Sequence, residues 1–305
     1  MLLSIVIPLF NEANHMESSL EHWHQLFDTL DITVELILVD DGSDDSTWDC
    51  IRGQAVNHPR VLGIRLSRNF GKEAALAAGL EHARGDVVAV MDGDLQHPPE
   101  LLRDMLSRWR AGAEVVEAVK VRRGSESLLN RWSASLFYST FSKLTGQDLY
   151  GASDFKLMDK RVLDAWRRMG ERNLFFRGMH SWLGFRRVQV PFEVAERADG
   201  IGKWSTLALL ALATRAITAF SSAPLHLISV IGAGFLAFAL ALALQTLYFK
   251  LSGQALDGFT TVILLLLLIG GAVMIGLGVI GVYIARIYDE VKQRPRYLIA
   301  ERTED

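Results

Sequence analysis

The chain has 305 residues, more than one ordinary domain needs, and its 32 Lys and Arg nearly balance 35 Asp and Glu for a net charge of -3. That balance leaves no basic footprint, so no nucleic-acid partner is expected. A single cysteine, Cys50, excludes an intrachain disulfide and a cysteine-rich zinc site. The average hides a split near residue 205. Before it, charges are interspersed among short apolar runs; after it, Leu, Ala, Ile, Val and Gly dominate.

The first apolar stretch, Met1 to Pro8, is short and lacks a basic lead. It reads as a strand over 4–7 rather than a signal peptide, which leaves the N-terminal part in the cytoplasm. Further strands are predicted at 36–39, 61–66 and 87–91, with helices at 14–21, 44–57, 71–83 and 99–111. Pro98-Pro99 before Glu100 suits the first turn of the last helix. Strands alternating with helices predict an α/β domain with a mostly parallel sheet covered on both faces. Residues 112–204 are less regular and richer in Arg, Trp and Phe, and are expected to add a strand and helices that close over the site.

Two later segments, 225–249 and 259–284, carry no charge and are each long enough to span a bilayer. Arg286, Lys292, Arg294 and Arg296 follow the second, and this basic bias puts the tail on the cytoplasmic side. Residues 205–222 are apolar but interrupted by Arg215 and rich in Ser and Thr. They read as a helix lying in the interface, with a third span as the alternative. The expected organisation is a cytoplasmic domain over 1–204, an interfacial amphipathic helix over 205–224, a transmembrane hairpin over 225–284 and a cytoplasmic basic tail over 285–305.

All four early strands end in polar residues. Pro8-Leu9-Phe10-Asn11-Glu12 follows the first, Asp40-Asp41-Gly42-Ser43 the second, Ser67-Arg68-Asn69-Phe70-Gly71-Lys72 the third and Asp92-Gly93-Asp94 the fourth. In an open α/β sheet, ligands bind at the carboxyl ends of the strands. Two carboxylates there can hold a hard divalent cation, and the cation a diphosphate. Asp40-Asp41-Gly42-Ser43 taken alone reads equally well as a turn with a helix cap.

These motifs resemble family-2 glycosyltransferases of the GT-A (Rossmann-like) fold, and more closely the polyprenyl-phosphate glycosyltransferases, which include dolichol-phosphate mannose synthase and bacterial bactoprenol glucosyltransferases of O-antigen modification. The resemblance continues through Gly151 to Asp159, Arg197 to Trp204, Ser221 to Leu225 and Tyr283 to Tyr288, so it spans essentially the whole chain. It implies that Pro8, Phe10, Glu12, Asp40, Asp41, Lys72 and Asp92 bind a nucleotide-diphosphate sugar. Asp92, Asp94 and Gln96 would hold Mg²⁺ or Mn²⁺. Lys120, Arg123, Arg131, Ser135, Arg197 and Lys203 would serve the phosphates and the polyprenyl-phosphate acceptor. Asp94 and Asp154 would be the catalytic pair. The family also suggests a homo-oligomer, with a tetramer possible.

The chain departs from the family pattern in places. Phe10 stands where Tyr is usual, which keeps ring stacking and loses a hydroxyl contact. Lys120 and Lys156 stand where Arg is common, and lysine binds phosphate without the bidentate fork. Gly202 replaces Ser, and His226 replaces a common Arg. The resemblance implies inverting transfer of a hexose, best read as glucose from UDP-glucose, to undecaprenyl phosphate on the cytoplasmic leaflet for cell-envelope glycan modification. Mannose, galactose, N-acetylhexosamine and formamido-arabinose remain open at this point. The competing class, a polysaccharide synthase or exporter, usually carries a Gln-x-x-Arg-Trp motif and more spans.

Overall fold

The computed structural model describes residues 1–93, 100–122, 152–170, 176, 182–193, 223–252 and 258–304. The chain divides into two compact units, Met1–Ser205 together with Arg294–Asp305, and Thr206–Gln293.

In the first unit, strands β1 (Leu2–Leu9), β2 (Thr33–Asp40), β3 (Val61–Leu66) and β4 (Val87–Val90) lie mutually parallel in the order β4-β1-β2-β3. Helices α1 (Ala13–Asp28), α2 (Thr47–Asn57) and α3 (Lys72–His82) make the crossovers, and α4 (Glu100–Arg110) follows β4. Parallel strands covered on both faces read as apolar runs rather than alternation. Accordingly Leu3, Ile5, Val6 and Ile7 of β1 and all four residues of β4 are fully buried. Each of the Val, Leu and Ile side chains among them contributes about 1.5–3 kcal/mol of burial. Helix α1 presents Met16, Leu20, Trp23 and Leu26 to the core at helical spacing. Helix α3 is alanine-rich and sits so close to the sheet that a Cβ on Gly79 would lie 2.3 Å from Val6 Cγ1.

The parallel centre is extended on both sides. Strands β5 (Val115–Arg122), β6 (Ala152–Asp159) and β7 (Arg187–Glu193) add to β4, with β6 antiparallel to both β4 and β5, and β5 parallel to β7. Helix α5 (Lys160–Arg167) follows β6, its first turn capped by Asp159. At the far edge β8 (Ile299–Arg302) pairs antiparallel with β3. The sheet is therefore mixed, and the described residues of 112–204 supply three strands where one was expected. Glu117, Asp154 and Lys156 point into the buried interior of β5 and β6, and these charges break the apolar pattern that marks β1–β4.

The second unit contains α6 (Ala223–Leu251) and α7 (Phe259–Lys292), of 29 and 34 residues. At about 1.5 Å per residue each exceeds the ~30 Å bilayer core. Their most apolar windows are 0% and 6% buried, unlike the core helix of a soluble protein. A Cβ on Gly276 of α7 would come 3.3 Å from Ile228 of α6, so the two helices meet at a small residue. Helix α7 runs beyond the predicted end at 284 to Lys292. The interfacial helix expected at 205–222 lies outside the described residues.

Candidate functional site

The carboxyl ends of β1, β2, β3 and β4 share one edge, as their parallel registers require. The first two loops are tied to each other. Asn11, in a left-handed conformation at φ 53°, donates its N–H to Ser43 Oγ at 2.9 Å, and Asp44 N donates back to Asn11 Oδ1 at 3.0 Å. Glu12 N donates to Thr47 Oγ1 at 3.0 Å. Gly42 has φ 68°, and a Cβ there would lie 2.4 Å from the Arg68 backbone, so the second loop presses directly on the third.

Asp40 and Asp41 do different work. Asp40 is fully buried; its Oδ1 accepts from Ser43 N at 2.9 Å. Its Oδ2 has no hydrogen bond among the described residues, with Arg65 Nε 3.4 Å away. The Arg65 guanidinium thus compensates a carboxylate oxygen that is shut off from solvent. Asp41 instead accepts from Phe70 N at 2.8 Å and Gly71 N at 2.9 Å, and so shapes the loop that opens α3. Burial pushes its carboxyl above the usual aspartate range, against the pull of those two N–H groups.

The centre of the site is an ion triad. Lys72 Nζ stands 2.5 Å from Asp92 Oδ1 and 2.6 Å from Asp154 Oδ2. Strand β6 runs antiparallel to β4 with Val90 opposite Lys156, and continuing that register sets Asp92 opposite Asp154. Asp154 is nearly buried, at 7% side-chain exposure. Burial works to lower the Lys72 pKa, but the carboxylates of Asp154 and Asp92 outweigh it and push it up. Two carboxylates converging on one cation form a donor set that also suits a hard divalent ion. Among the described residues no group of three or more acidic, histidine or cysteine side chains could hold a metal.

Beneath the triad, Lys156 Nζ meets Glu117 Oε1 at 3.1 Å, the two side chains being 0% and 5% exposed. Arg187 stands 3.9 Å from the other Glu117 oxygen. Lys120 lies on β5 opposite Phe192 of β7. Asp94, Gln96, Arg123, Arg131, Ser135, Arg197 and Lys203 lie outside the described residues.

A cleft of about 400 Å³ opens beside this edge, lined by Phe10, Ser43, Arg65, Arg68, Ala300 and Glu301 among others. That volume falls in the range of small-molecule sites. The Arg68 guanidinium lies 4.6 Å from the centre of the Phe70 ring. Neither Arg65 nor the two C-terminal residues were singled out from sequence. A charged residue inside the strand Val61–Leu66 was the available signal for Arg65.

Residues 4–167 match the model of the family described as Glycosyl transferase family 2. The chain belongs to this family. This glycosyltransferase is 38% identical over 298 residues to "Uncharacterized glycosyltransferase YkcC" of Bacillus subtilis, covering 97% of this chain and 92% of the relative. It is 37% identical over 305 residues to "SfII prophage-derived bactoprenol glucosyl transferase" of Shigella flexneri, covering 98% and 97%. Mannosyl-3-phosphoglycerate synthase from Rubrobacter xylanophilus aligns over 72% of each chain with a TM-score of 0.51 and 19% identity, a likeness of fold alone. The catalytic unit of this glycosyltransferase is thus a GT-A α/β domain with a mixed sheet, followed by two long apolar helices.

Proposed function

We propose that the protein transfers a hexose from a nucleotide-diphosphate sugar, with UDP-glucose as the first choice, to undecaprenyl phosphate on the cytoplasmic leaflet. Transfer inverts the anomeric carbon and supplies lipid-linked sugar for cell-envelope glycan modification. The observation that carries this reading is the near full-length similarity to a protein named bactoprenol glucosyl transferase. The polar strand ends and the triad at one sheet edge support it.

In the reaction, an acceptor phosphate oxygen bonds to the anomeric carbon as that carbon's bond to the donor β-phosphate oxygen breaks. The bonding electron pair leaves with the nucleoside diphosphate. An acceptor phosphate with its second pKa near ~6 is already largely anionic at neutral pH, so it needs no strong base. Asp154, held by Lys72, therefore orients the acceptor or a neighbouring cation. Asp92, Asp94 and Gln96 would hold Mg²⁺ or Mn²⁺, and the bound ion supplies Lewis-acid stabilisation of the leaving diphosphate. Arg65, held by Asp40, and Phe10 both line the cleft, where the Phe10 ring is available to stack on the base. Lys120, Arg123, Arg131, Ser135, Arg197 and Lys203 form the acceptor-phosphate side of the same reading.

Strand β8 follows the apolar helices yet pairs with β3. This supports an even number of crossings between them, with the catalytic unit and the C-terminal segment on one side of the membrane and residues 205–224 in the interface. Assembly as a homo-oligomer belongs to the same reading, and the mass in mild detergent tests it. The deciding experiment offers a panel of labelled nucleotide sugars with undecaprenyl phosphate and Mg²⁺. Label in the organic-extractable lipid, highest with UDP-glucose, is expected. A different preferred donor would revise the sugar alone, and label only in long water-soluble polymer would refute the lipid acceptor.

A further inference from the structure

Residues 294–304 form a strap across the first unit. Ser67 N donates to Leu298 O at 2.8 Å, and Thr303 exchanges hydrogen bonds with Gly63, N to O at 3.1 Å and Gly63 N to Thr303 Oγ1 at 2.9 Å. Side chains reinforce the ladder. Trp48 Nε1 donates to Glu301 Oε2 at 2.9 Å, Arg296 donates to Met169 O at 2.6 Å, and both Arg296 and Tyr297 engage Glu81. Arg65 and Glu301 are cross-strand partners. Anchored in this way, Ala300 and Glu301 stand in the wall of the same cleft as Phe10, Ser43 and Arg68. The Glu301 carboxylate is held by Trp48 of α2, and Ala300 carries a single methyl group, so the wall is fixed while the space in front of Ala300 stays open.

We propose that this C-terminal strap is one wall of the pocket for the nucleoside of the donor, and that the small side chain of Ala300 sets how bulky a base the pocket admits. The inference rests on the glycosyl-transfer reading. It makes donor binding depend on a segment that the chain reaches only after both apolar helices.

The test uses the full-length protein in mild detergent and the tighter-binding of UDP and GDP as the probe. In a Cys50→Ala background, nucleotide should slow maleimide labelling of the Ala300→Cys thiol by about tenfold or more, and leave labelling of a Glu304→Cys thiol unchanged. By calorimetry, Ala300→Trp should weaken nucleotide binding about tenfold or more, equivalent to ~1.4 kcal/mol. Should the tryptophan variant fail to fold, the labelling result decides. Nucleotide that binds the Ala300→Cys protein without slowing its labelling would overturn the strap's role and leave glycosyl transfer standing. Wild-type protein that binds neither nucleotide would overturn both.

Discussion

The buried pair under the catalytic edge offers a quantitative test of how the site is supported. Lys156 and Glu117 meet at 3.1 Å with almost no solvent exposure, and Lys156 lies two residues from Asp154 on the same strand. At an effective dielectric constant of about 20, unit charges at that distance attract by roughly 5 kcal/mol. Removing one partner of such a pair takes the nearest counter-charge from the other and costs about 3–5 kcal/mol. Arg187, 3.9 Å from Glu117, offsets part of the loss when Lys156 is removed, so the lower end applies to Lys156→Met. For a domain of this size that is a fall in melting midpoint of roughly 6–12 °C. Replacing both partners with apolar residues, Lys156→Met with Glu117→Leu, removes both charges and should recover most of the loss, since such swaps are often near neutral. The assay is thermal unfolding of full-length protein in mild detergent for the wild type, both single variants and the double variant. Single variants within about 1 kcal/mol of wild type, or a double variant as unstable as the sum of the singles, would refute the argument.

Three further outcomes are expected. Gly79→Ala should destabilise by about 1–3 kcal/mol through overpacking against Val6, despite the better helix propensity of alanine, as read by the melting midpoint. Asp41→Asn takes one acceptor from the Phe70 and Gly71 N–H groups and should cost about 1–3 kcal/mol. Because the folded Asp41 pKa is raised, its contribution is complete below the ordinary aspartate value and lost as pH rises through the shifted one. The gap in melting midpoint between wild type and Asp41→Asn should therefore narrow from acid to neutral pH, and a gap that widens contradicts the shift. In steady-state turnover, Asp94→Asn should abolish transfer, whereas Asp154→Asn should retain part of it with an unchanged pH profile. Equal loss in both, with the acidic limb of the profile gone, would make Asp154 the base.

The parallel half of the sheet was legible because each strand is a run of apolar residues ended by polar ones, and the shared edge of those ends follows from parallel topology. The acids at the ends of β2 and β4 were legible for the same reason. What they do was less so. Asp40 and Asp41 are neighbours in sequence, yet one faces Ser43 and Arg65 while the other serves backbone N–H groups of the next loop. The close approach of Gly42 to the Arg68 backbone, which brings the third loop within reach of Asp41, is not written in the sequence. Lys72 was placed with the donor by its motif, and no spacing rule showed that it would bridge Asp92 to Asp154, the latter 82 residues further along the chain from Lys72. Strands β5 and β6 hide because their interior positions hold Glu117, Asp154 and Lys156, whose charges are met by one another (Glu117 with Lys156) or by Lys72 (Asp154) only once the fold has formed. Ile299–Arg302 is too short and too polar to announce a strand, and owes its conformation to the edge of β3.

That edge also sets an order of assembly. Strand β3 is complete at residue 66, but its outer partner, residues 299–302, follows both apolar helices. Until the ribosome has finished both apolar helices, β3 carries an open row of N–H and C=O groups, the kind of edge that invites wrong pairing. The β3 side of the sheet is then closed by a segment made only after both helices, so a chain that stops before residue 299 keeps that edge open.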